Sequence, residues 1–134
     1  MALLSDISTY LAANVTDTSL VVGTNLFLGR LPEDPDTCVA IYEYSGEAPT
    51  DTFGTSTLPV MENPRIQVVA RASAYADASD LAVDVWKQLQ KVDNETLTST
   101  RYQRIDSVQS PFALNRDERE RMVMVCNYQI NKTP

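Results

Sequence analysis

The chain holds three lysines, Lys87, Lys91 and Lys132, and the residues two places before them are Val85, Leu89 and Ile130. A nuclease-type site often sets a lysine two residues after a metal-binding Asp or Glu, and no pair here has that form. There is no histidine. That removes the commonest general base, the Ser-His and Cys-His pairs, and most zinc sites. Cys38 and Cys126 are too far apart in sequence to supply a zinc motif, and each lies in an apolar run. They read as two buried free thiols, which behave as small hydrophobes. The four glycines, at 23, 29, 46 and 54, are too dispersed for a phosphate-cradling loop, and no nucleophile-elbow motif occurs. The acidic run Glu33-Asp34-Pro35-Asp36 lacks the glycine and distal glutamate of a calcium loop. It reads as a solvated turn. No catalytic, cofactor-binding or metal-ligating residue is assigned.

The elements that frame these residues follow from periodicity. Leu3, Leu4, Ile7 and Leu11 recur at helical spacing over residues 3–13, with Asn14 as a stop. Leu26-Phe27-Leu28 forms a short strand, and residues 29–36, with Pro32 and Pro35, form a turn. Residues 38–44 are rich in β formers. In residues 65–73, Ile66, Val68, Ala70 and Ala72 alternate with their neighbours, the period-two pattern of a half-buried strand. Ser73 is placed to cap the next helix. That helix, residues 75–91, carries the stripe Ala78, Leu81, Ala82, Val85 and Leu89, with early aspartates and late lysines that complement its dipole. Residues 101–109 and 122–130 read as strands, the latter with Met122, Met124, Cys126, Tyr128 and Ile130 on one face. Pro111 to Leu114 reads as an apolar loop with Phe112 as a core anchor, and Trp86 as core too. The order predicts an α+β fold: a mostly antiparallel, possibly mixed sheet of four to five strands with two helices on one face. One domain, residues 1–134, accounts for the whole, with an extended loop or β-arm at about residues 46–63.

The formal net charge is −7. Nucleic-acid binding draws on clustered Lys and Arg, so the overall field argues against it. The acidity suits solubility, or a surface that DNA passes without sticking. The first residues, Met-Ala-Leu-Leu-Ser-Asp, lack the basic and long apolar parts of a secretory signal, and no membrane partner is expected. The three Asn-x-Thr sequons, at Asn14, Asn94 and Asn131, are then chance occurrences.

Several stretches, in order, resemble one family. They are residues 25–32 (Asn-Leu-Phe-Leu-Gly-Arg-Leu-Pro), the acidic proline-containing turn, residues 38–46, residues 64–68, the helix around Leu81 to Leu89, and residues 109–118. Together they are similar to the tail terminator, or minor capsid, proteins of long-tailed bacteriophages, over about residues 3–130. The resemblance implies a structural protein with no catalytic residues or cofactors. Family members assemble, typically as hexameric rings, on the end of the finished tail tube, stop its growth and offer a surface to the neck proteins of the head. Implied partners are further copies of the chain, the tail tube protein and a neck or head-completion protein, with DNA passing through the ring unbound. The implied place is the tail–neck junction of the virion, reached from the host cytoplasm during assembly.

On this reading the interface residues are Thr50, Asp51, Thr52, Phe53, Gly54 and Thr55 of the long arm, and Arg116 and Arg119 of the mixed-charge run 116–121. Two other readings remain open from sequence: a neck or head-tail connector, and a non-viral protein-interaction domain. An enzyme working through carboxylates alone finds no convincing acid–base pair.

Overall fold

The computed structural model describes residues 3–50 and 61–134. In chain order the elements are α1 (Leu3–Asn14), β1 (Leu26–Leu28), β2 (Cys38–Thr50), β3 (Met61–Ala72), α2 (Tyr75–Gln90), β4 (Asp93–Leu97), β5 (Thr100–Ser107), β6 (Phe112–Arg116) and β7 (Met122–Lys132). The fold is α+β with two helices, as the patterning predicts, and among the described residues the sheet has seven strands where four to five were expected.

The helices form where their apolar residues fall on one side. Leu3, Ile7 and Leu11 of α1 are buried, and the Asn14 amide donates to the Tyr10 carbonyl at 2.8 Å where the helix ends. In α2 the buried residues are Ala78, Leu81, Ala82, Val85 and Leu89. The Tyr10 hydroxyl ties the helices together by donating to the Gln88 carbonyl at 2.8 Å. Ser73 does not cap α2. Ala74, with extended backbone and no side-chain bond, holds the cap position, and Ser73 lies one residue too early to reach the first-turn N–H groups.

The sheet runs β1-β2-β3-β7-β5-β4, and β6 also pairs with β7. β1 pairs with β2 in parallel, and all other pairings between these strands are antiparallel. β7 is the hub. One side lies along β3, with Val68 opposite Cys126 and Ala72 opposite Met122. Its other side is shared: β6 takes the first half, with Phe112 opposite Val125, and β5 the second, with Ile105 opposite Ile130.

Both helices pack on one face of the sheet. The main core joins them to Val39, Ile41, Ile66, Val68, Ala70, Ile105, Met124, Cys126, Tyr128 and Ile130. Ala40, Val69, Val123 and Val125 form a smaller cluster, with Leu31 and Tyr42 against it. β7 is thus buried on both faces, the environment that its unbroken Met-Val-Met-Val-Cys start fits. Both cysteines are buried and free. Trp86 is only partly buried and donates to the Ser107 hydroxyl at 3.0 Å.

Candidate assembly surface

Three features stand out from the closed core. The first is an arm. At the flanks of the loop or β-arm expected at about residues 46–63, β2 and β3 continue as a hairpin, with Gly46 opposite Pro64, Glu47 opposite Asn63 and Thr50 opposite Met61. Residues 43–49 are exposed. Arg65 ties the root by donating to Gln129 Oε1 at 2.7 Å and pairing with Glu47 at 2.9 Å. A concavity of about 400 Å³ lies at this root, lined in part by Leu3, Glu43, Glu62 and Lys132. The backbone of Thr50 closes the described part of the hairpin, while Asp51, Thr52, Phe53, Gly54 and Thr55 lie outside the described residues.

The second feature is a charged latch on the face opposite the helices. Arg71 continues the outward alternation of Val69 on β3, yet it is only 2% exposed. Its guanidinium donates to the carbonyls of Pro35 (2.6 Å), Asp36 (3.2 Å) and Glu33 (3.4 Å). Arg121, 4% exposed, donates to Asp117 Oδ2 at 2.8 Å, to Asp36 Oδ1 at 3.2 Å and to the Glu33 carbonyl. Arg119 bonds Asp34 Oδ1 at 3.2 Å and lies within 3.7 Å of Asp36. The acidic turn is therefore not merely solvated: three arginines hold it down and with it the Leu31 segment that covers the smaller core. Burial pushes the Cys38 thiol up, against the opposing pull of Arg71 and Arg121, so it stays protonated.

Of the two arginines singled out from sequence, Arg119 serves this latch while its side chain remains 46% exposed. Arg116 donates to the Glu120 carbonyl at 2.6 Å and has no ion-pair partner among the described residues. Sequence reading missed Arg71 and Arg121. Arg71 has a signal, because it sits at an outward position of a strand whose outward neighbour is apolar.

The third feature is β6. All five residues are exposed, including Phe112, which is no core anchor, and Leu114 at 58%. Phe112 fails as an anchor because β6 lies at the rim of the sheet, beyond the span covered by either helix. Among the described residues no group of three or more Asp, Glu or Cys is arranged to hold a metal ion. Among the described residues no helix is long and apolar enough to cross a membrane.

An arm, a pinned turn and an exposed rim strand suit contact between proteins. Residues 12–134 match the bacteriophage tail terminator protein family. The chain belongs to that family. It is a structural tail protein of the virion, as the resemblance implies. A search of curated proteins returns no match. Among solved structures, a chain from the virion of a native gene transfer agent particle shares the fold. Its TM-score is 0.59 at 18% identity, over 99% of this chain and 96% of that one.

Proposed function

We propose that copies of this chain form a ring, of six subunits, on the end of the phage tail tube, where they end its polymerisation and present the surface that joins the tail to the neck of the head. The observation that carries the reading is the family match over residues 12–134. Subunits in head-to-tail contact close into a ring when the rotation divides the circle, and such a ring has two unlike faces. One face docks on the tube and the other refuses a further tube ring. The net charge of −7 suits a lumen that DNA traverses without sticking. The arm between Gly46 and Pro59 reaches a neighbouring subunit or lines the lumen, and Arg116 and Arg119 flank the contact.

Negative-stain microscopy of the protein mixed with purified tail tubes tests this. Six-fold rings at the tube ends are expected. Binding to isolated head portals in preference to tubes would instead mark a connector. Deleting residues 50–57 should abolish capping and leave the far-UV circular dichroism unchanged; infectious tails of normal length from that deletion would remove the arm from the account.

A further inference from the structure

The sheet is left open along two rims. On one, β1 pairs with β2 only from Val39 to Ile41, so among the described residues no strand lies along the outer side of residues 42–50 of β2, whose inner side pairs with β3. On the other, β6 and β4 are outermost. Unpaired edges are templates for another chain. We propose that in the ring the β6 edge of one copy pairs antiparallel with residues 43–47 of β2 in the next, so that the sheet continues from subunit to subunit. The proposal rests on the ring reading above and specifies its contact.

Strand direction selects β6. Along β2-β3-β7-β6 every neighbour is antiparallel, so β6 runs opposite to β2. Rotation about a ring axis preserves direction along that axis, and β2 of the next copy therefore meets β6 antiparallel. β4 reaches the rim through β5, one more antiparallel step, and runs with β2. Its contact would be parallel, which is slightly less stable per residue.

Charge makes the same choice. β4 carries Asp93 and Glu95, which would face Glu43 and Glu47. β6 has no carboxylate and ends in Arg116. Glu43 and Arg116 both lack an ion-pair partner among the described residues, whereas Glu47 is engaged by Arg65.

The apolar residues match too. Each edge contains a bulge at a large exposed side chain. Tyr44, 45% exposed, is the extra residue between the Glu43 and Ser45 pairings, and Leu114 is the extra residue between those of Ala113 and Asn115. Bulges re-aim a side chain and blunt an edge against indiscriminate pairing. Pro49, with no N–H, limits the β2 ladder beyond residue 48. A five-residue ladder falls short of the roughly 800 Å² per partner of a stable pairwise interface, so closure on the tube as a template is expected.

The test uses the full chain with a benzophenone amino acid in place of Leu114, mixed with tail tubes, irradiated and mapped by mass spectrometry. An adduct between copies, joining position 114 to the peptide holding residues 43–47, is expected. Adducts to residues 93–97, or none between copies while rings form, overturn the interface. In parallel, Glu43→Arg and Arg116→Glu each place like charges together. Each should raise the concentration needed for ring formation about tenfold, and the double exchange should restore it. Losses that the double exchange does not rescue overturn the pairing. Failure of the unmodified protein to form any ring on tubes defeats the ring reading itself, and is distinguishable from rings with the wrong adduct.

Discussion

Arg71→Met removes the centre of the charged latch. The guanidinium makes two good hydrogen bonds, to Pro35 and Asp36, and one long one to Glu33. Hydrogen bonds from a charged donor contribute roughly 1.5–3 kcal/mol each. Two of them give roughly 3–6 kcal/mol, set against the relieved cost of burying the cation, which brings the loss toward the lower end. A destabilisation of about 3 kcal/mol is expected. For a chain of this length that is a fall of about 10 °C in melting temperature. Urea unfolding should show a lower midpoint with an unchanged slope, since the surface exposed on unfolding barely changes. Hydrogen exchange should speed up at residues 31–37 before it does in β3. Arg71→Lys, which keeps the charge and loses the fork, should fall between. A methionine variant within about 0.5 kcal/mol of the parent, the scatter of ordinary surface substitutions, would refute the claim that Arg71 pins the turn.

Tyr102, wholly buried, donates to Asp6 Oδ2 at 2.9 Å, so Tyr102→Phe should cost about 1–3 kcal/mol by leaving a buried acceptor unpaired, read by thermal melting. Burial first, then that bond, holds the Tyr102 hydroxyl far above the tyrosine range, and burial does the same for Tyr128. Their contribution is therefore intact below about pH 10, where free tyrosine titrates, and is lost as pH rises further; tyrosinate absorbance should grow in step with loss of circular dichroism. At Asp117 desolvation raises the carboxyl's pKa, but bonds from the Arg121 and Arg119 N–H groups and the Arg121 side chain outweigh it and leave it lowered. Its contribution is present above about pH 4 and fades as pH falls, and Asp117→Asn should remove that acid sensitivity from the amide signals of Arg119 and Arg121. At Gly46 an added Cβ meets the Asn63 carbonyl oxygen and Pro64 Cα at 3.2 Å, so Gly46→Val should speed hydrogen exchange across the arm root while leaving α2 unaffected.

Both helices, β2, β3 and β7 were legible because their apolar residues repeat at the period of the element they form. β4 was not, because Asp-Asn-Glu-Thr-Leu buries only Leu97 and forms through pairing with β5. β6 carries no strand pattern for a similar reason: a rim strand exposed on both faces has no reason to alternate. Gly46 and Pro49 argue for a loop locally, which leaves loop and β-arm both open from sequence, and cross-strand pairing from β3 makes the described flanks strand. The prolines and carboxylates of residues 32–36 mark the acidic turn but not its captors, since burial of an arginine depends on carbonyls far away in sequence. The pattern 33–36 names the charges and leaves open what neutralises them.

The position of β7 has a bearing on how the molecule comes together. Strands β1 to β3 form one sheet fragment and β4 with β5 another, and within the sheet of the described residues they are joined only through a strand that follows both in the chain. Until residues 122–132 arrive, the nascent polypeptide carries two ribbons with raw inner margins. Their closure waits on a distant segment, so acquisition of the native state should be slow and late, as for other topologies dominated by remote partners. An isolated fragment ending before residue 122 should clump rather than persist as a smaller subunit.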